Sequence, residues 1–207
     1  MKQALLLPFL ALSAVGCAAK PVYLNRDIYK VVVLPPFNET PDTDASKDFW
    51  PYVRDGLAAH GYQVVDPSAV AAFYEKNKFR GDAAEINLYK AEELAKEFKA
   101  DAVFYSNITK WGYKYLVIYS EYGVAAEFAL TDGKSGERVW QGEGSATETS
   151  GGLSAEAIVG TIGNAFLNNK GHFCAASVRE GLRKLPLPGH EPKPEAEKPP
   201  AEPVPNK

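Results

Sequence analysis

Cys17 has the neighbours that constrain its chemistry most tightly. Small residues, Ala14-Val15-Gly16, precede it at the end of an apolar run from Ala4 to Val15, and Met1-Lys2-Gln3 supplies a short basic start. The run is too brief to span a bilayer as a helix and has the layout of a secretory signal over residues 1–16. With a cysteine at its end, the arrangement resembles a bacterial lipobox. In that chemistry the Cys17 thiol is joined to diacylglycerol, the bond after Gly16 is cut, and the freed amine is acylated. Small residues are needed there because the peptidase must close on the backbone. The bland alternative is an ordinary cleaved signal that carries Cys17 as a passenger. One acyl chain binds a bilayer only marginally, whereas three would hold almost irreversibly, at about 0.8 kcal/mol per buried methylene. Ala18 rather than Asp follows the cysteine, so the expected site is the periplasmic side of the outer membrane.

The other residues capable of chemistry are scattered. Cys174 has no intrachain partner if Cys17 carries lipid, and its place between Phe173 and Ala175 fits a buried hydrophobe better than a working thiol. His60, His172 and His190 stand far apart without a second ligand at helical spacing, so no metal is expected. Gly133-Lys134-Ser135 resembles the end of a phosphate loop, but Phe128 stands where that motif needs glycine and the context is a hairpin. Gly142-Glu143-Gly144 lies inside a strand pattern and reads as a bulge or a close approach, not a dinucleotide fingerprint. Glu92 and Glu93 belong to a solvated helix face, and no Gly-x-Ser-x-Gly elbow occurs. Neither an enzyme nor a cofactor is expected. The formal net charge is −3, with no basic cluster interleaved by aromatics, so nucleic acid is not an expected partner.

The elements that must carry these residues follow from periodicity. Residues 17–29 read as a lipidated tether, polar and irregular. Lys30 to Leu34, a β-branched run, is the expected first central strand. A helix from Asp44 or Ser46 to His60 aligns Phe49, Val53 and Leu57, and Tyr62 to Val65 is a short strand. Asp66 caps a helix with Pro67 in its first turn. A further helix is expected from Leu88 to Lys99 and a strand from Ala102 to Thr109. Tyr115 to Leu130 gives the longest strand signal, and the Asp132-Gly133 turn returns the chain as Glu137 to Thr149. Ser150-Gly151-Gly152 reads as a flexible joint before a helix from Ser154 to Lys184, interrupted near Asn168 to His172. Eight of the last 22 residues are proline, so residues 189–207 read as a disordered tail. The expected fold is α/β, a single domain over 30–188 with a mixed five- to six-stranded sheet. Its first three strands should be largely parallel and its last three an antiparallel meander.

Trp111, Tyr113, Tyr115, Tyr119 and Tyr122 crowd one hairpin region. Alternation along a strand prevents all of them from pointing inward, so Trp111, Tyr113, Tyr115 and Tyr119 are the candidate partner interface. The segments VVVLPPFN, GYQVVDP, ADAVFYSNITKWGYKY and LTDGKSGERVWQGEG resemble a family of small Gram-negative lipoproteins of unknown function. That family is similar to the N-terminal domain of TolB and to the curli secretion lipoprotein CsgG, and is often encoded beside a CsgG-like protein. The resemblance covers Lys30 to Pro188 and implies no catalytic residues, only the lipidated cysteine, at Cys17. It implies a homo-oligomeric, periplasm-facing accessory with a CsgG-like partner, serving secretion or surface-structure assembly. The competing expectation is a regulator of peptidoglycan metabolism that reaches the wall through the Pro-rich tail.

Overall fold

The computed structural model describes residues 20–79, 83–86, 88–116, 119–151 and 155–192, with the backbone alone for 83–84, 113–116, 119–120, 150–151 and 155–167. The signal, Cys17 and the tail beyond Pro192 lie outside the described residues.

Strand β1 (Lys30–Val33) shows why its sequence is apolar without alternation. Val31 and Val33 enter one core with Phe49, Val53 and Leu57, whereas Val32 and Leu34 enter a second core with Val70, Leu94 and Phe98. Helices cover both faces, so both faces must be apolar. After the short β2 (Phe37–Asn38), α1 (Ala45–Ala59) buries the expected stripe of Phe49, Val53 and Leu57. Strand β3 (Gln63–Val64) leads to α2 (Pro67–Asn77), where the Asp66 carboxylate accepts the Ser68 amide at 2.8 Å with Pro67 in the first turn. The Ser68 hydroxyl also donates to that carboxylate, at 2.6 Å, and this bond together with the amide one holds the Asp66 carboxyl below its usual range.

A single turn, α3 (Ala83–Ile86), was not anticipated, and α4 spans only Ala91–Phe98. The Glu93 side chain accepts the Lys90 amide and closes the helix start there, leaving Leu88 85% exposed instead of in the apolar stripe.

Strand β4 runs from Ala102 to Leu116, past the expected end at Thr109, and β5 spans Tyr119–Asp132. The continuous strand expected from Tyr115 to Leu130 is therefore cut, because the chain reverses between Leu116 and Tyr119. Strand β6 (Arg138–Gly151) carries strand geometry through Ser150 and Gly151, where a joint was expected. Helix α5 (Ala155–Leu182) continues through Asn168–His172 without the expected interruption. Packing against α1 and the sheet holds this weakly helical stretch in helix.

The strand order is β3-β1-β4-β5-β6, with β2 added to β4 beyond β1. Strands β3, β1 and β4 are parallel, as are β2 and β4, and the β4-β5-β6 meander is antiparallel. This is the expected mixed α/β sheet, with six strands. Gly144 and Gly181 let α5 lie directly on β6: a Cβ on Gly144 would overlap the Ser177 carbonyl, and one on Gly181 would overlap the Phe128 ring. The Ser177 hydroxyl donates to the Gly144 carbonyl at 3.0 Å, satisfying that group within the contact.

The segment read as a free tether is docked from Val22 onward. Tyr23 and Leu187 form a parallel bridge, and the Leu24 amide donates to the Leu187 carbonyl at 2.9 Å. The Leu187 amide donates to Val22, the Asn25 amide to Gly189 and the Gly189 amide to Ile28. Ile28 is buried in the first core. The strap Leu185–His190 is further tied by Tyr62, whose hydroxyl donates to the Pro186 carbonyl at 2.9 Å, and by His60, whose ring nitrogen meets the Leu185 carbonyl. His60 at its helix end therefore holds the chain's C-terminal strap. Tyr23, Leu24 and Ile28 were the apolar signal that this segment is not pure linker.

Candidate interaction surfaces

A β-bulge positions the aromatic group. Ile108 pairs with Ala126 and Lys110 with Ala125, so Thr109 is the extra residue and the alternation of β4 shifts by one. Trp111 thereby packs on the same side as Phe104 and Ile108, edge-on to Phe49 with ring centroids 6.3 Å apart. The sequence carries a trace of this shift, since Ile108 and Trp111 are three residues apart where strict alternation demands two. Lys170 of α5 lies with its Nζ 6.0 Å from the centre of the Trp111 ring and pairs with Asp48 of α1 at 2.5 Å. The bond to Asp48 raises the Lys170 pKa above its ordinary value.

Tyr122 packs edge-on to Phe173 at 5.4 Å, and its hydroxyl donates to the Glu148 carboxylate on the neighbouring strand. That bond, with some burial and the charge of Glu148, holds the Tyr122 phenol above its usual range. Tyr113 pairs with Tyr122, Tyr115 with Ser120, and Tyr119 with Leu116 and Gly151. The side chains of Tyr113, Tyr115 and Tyr119 lie outside the description. The backbone thus gathers the four candidate residues on the distal half of one hairpin, with Trp111 half-buried between α1 and α5.

The opposite face of the meander is polar. Tyr105 and Asn107 of β4, Glu127 of β5, and Gln141 and Glu143 of β6 line an open groove of about 1150 Å3, with Arg138 at its margin. Glu127 stands directly opposite Glu143 in the β5-β6 register. Asn107 donates from Nδ2 to Glu39 at 2.8 Å. Burial and the nearby Glu92 carboxylate raise the Tyr105 pKa. Among the described residues no group of three His, Cys, Asp or Glu side chains could hold a metal ion. Gly133-Lys134-Ser135 forms the β5-β6 turn, and Gly142 and Gly144 are the close approach to α5. Lys90, Arg138, Arg183 and Lys184 line the same groove as the carboxylates of Glu92, Glu127, Glu143 and Glu180, so both signs of charge face it.

The model of the family described as "Putative lipoprotein GNA1162-like" matches residues 24–175. A relative from Neisseria meningitidis serogroup B (strain ATCC BAA-335 / MC58), "Putative lipoprotein NMB1124/NMB1162", is 32% identical over 159 residues, covering 73% of this chain and 73% of the relative. The crystal structure of lipoprotein GNA1162 from Neisseria meningitidis is similar with a TM-score of 0.52 and 28% identity, covering 70% of this chain and 99% of that one. A PelC dodecamer from Paraburkholderia phytofirmans gives a TM-score of 0.44 and 20% identity over 82% of this chain and 94% of that one, a likeness too distant to bear on function.

Proposed function

Because the chain belongs to the GNA1162-like family of lipoproteins, we propose that it is a non-enzymatic docking accessory held by acylated Cys17 on the periplasmic side of the outer membrane. Its partner is an envelope secretion or surface-structure assembly with a CsgG-like component. Family membership carries this reading, and the lipobox around Cys17 supplies the chemistry of attachment. The long β4-β5-β6 meander supports the docking half, since it carries both the aromatic hairpin and the open polar face.

Fractionation of cells tests the anchor. The wild-type protein should pellet with outer membrane, and Cys17→Ala should appear in osmotic-shock fluid; a variant that still pellets with the outer membrane overturns the anchoring claim. Crosslinking in intact cells followed by mass spectrometry tests the partner. Recovery of a secretion or surface-structure component is expected, and recovery of only peptidoglycan synthases would replace docking by wall regulation.

A further inference from the structure

Both ends of the described chain leave the domain at one pole. The N-terminal segment Val22–Ile28 and the strap Leu185–His190 are hydrogen-bonded to each other there, and His190 meets Asp27 at 3.1 Å. Arg26 ties the same segment to the β5-β6 turn through Asp132 and Glu137. The three long strands share this pole, because Ala102 pairs with Asp132 and Thr131 with Arg138. They also share the far end, where Leu116 pairs with Tyr119 and Tyr119 with Gly151. Fifteen residues of β4 at about 3.4 Å each make the arm about 50 Å long.

The chain outside the described part limits where this pole can sit. Val22, which accepts the Leu187 amide and so is fixed to the domain, follows Cys17 by only five residues. Five fully extended residues reach at most about 18 Å. The headgroup layer takes up about 5–8 Å of that reach, so the tether keeps Val22 within about 13 Å of the membrane surface. The large apolar side chains left exposed among the described residues are Val22 at 69%, Tyr29 at 46% and Leu88 at 85%. Two of these three, Val22 and Tyr29, flank the strap at this pole, with the Tyr29 ring lying against Gly189. Leu88 precedes α4, whose Glu92 lies against Gly136 of the β5-β6 turn, and it takes no part in the clasp.

We propose that the clasped pole is a lipid-contacting surface, seated on the leaflet that holds Cys17, and that the β4-β6 arm therefore stands away from the membrane. This rests on the acylation of Cys17 proposed above. Tyr29 and Val22 meet the headgroup boundary, where an aromatic ring with a polar tip is well placed. The arm carries the far ends of β4, β5 and β6 into the periplasm, and the chain after Pro192 begins its path beside the membrane.

The test uses the full mature lipoprotein in vesicles of phosphatidylethanolamine and phosphatidylglycerol containing lipids with a shallow acyl-chain quencher. An environment-sensitive dye is attached in separate proteins to Tyr29→Cys and Thr149→Cys, while buried Cys174 stays unlabelled. Quenching at position 29 should exceed that at 149 at least about threefold. Equal quenching at both positions, or none at 29, in protein whose mass spectrum shows acylated Cys17 overturns the orientation alone. An unmodified terminus in the same spectrum overturns the anchoring reading and the orientation with it. A dye shift at position 29 that appears without lipid and grows with protein concentration makes the pole a contact between copies, and also overturns the proposal. If Tyr29→Cys lowers the unfolding temperature, the dye goes on Val22→Cys, with the same outcomes.

Discussion

At the scale of single residues, the close approach of α5 to β6 is the least forgiving feature. A methyl group at position 144 has no room beside Ser177 and Gly181. Gly144→Ala should destabilise the fold by about 1–3 kcal/mol or more, read as a lower urea midpoint with an unchanged m value. Cys174 is fully buried, and burial pushes its thiol up to about 12 from an ordinary 9.0. Because the unfolded chain gives up that proton first, the stability from keeping the thiol neutral is complete below pH 9 and is lost as the pH climbs toward 12. The loss specific to this thiol should approach about 1.4 kcal/mol per pH unit within that window and be absent in Cys174→Ala. A thiol reagent at pH 8 should leave Cys174 unmodified until denaturant unfolds the domain, and rapid labelling of the native protein would contradict the burial.

Among the elements, the clasp divides the C-terminal chain into two parts with different roles. If residues 193–207 are the disordered tail their composition predicts, removing them should leave the unfolding temperature within about a degree of the parent. Removing 186–207 strips the carbonyl partner from Tyr62, the bridge partner from Tyr23 and the Gly189 amide donor from the Ile28 carbonyl. At about 1 kcal/mol for each hydrogen bond lost, and about 2–4 °C per kcal/mol in a domain of this size, the drop should exceed about 4 °C. Equal melting of the two truncations would show that the strap contributes nothing. The ion pair of Lys170 with Asp48 is a third exposed on each side, so Asp48→Asn should cost less than about 1 kcal/mol, measured by the same unfolding.

For the whole molecule, the position of the tail separates the two functional readings. Residues 193–207 follow the clasp, which lies at the pole where the N-terminal segment also leaves. Under the docking reading, deletion of 193–207 leaves the membrane fraction and the crosslinked partners unchanged. Loss of function with the fold intact would instead favour a tail that reaches the wall. Deletions beginning at residue 190 blur this comparison, since His190 pairs with Asp27 inside the clasp.

Local signals carried much of this protein into view. The β-branched run of β1, the Asp66-Pro67 helix start, the Phe49, Val53 and Leu57 stripe and the Asp132-Gly133 turn each announce themselves within a few residues, because propensity and capping act at that range. Cys17 and its small neighbours likewise belong to the sequence alone. The bulge at Thr109, the passage of α5 through Asn168–His172 and the docking of Val22–Ile28 against Leu185–His190 were decided by partners far away in the chain. Each depends on which surface arrives to be covered: α1 and α5 over Trp111, the sheet under α5, and a strap more than 150 residues away pairing with Tyr23. No local pattern encodes such a meeting, which exists only once burial of the two cores has brought the distant segments together.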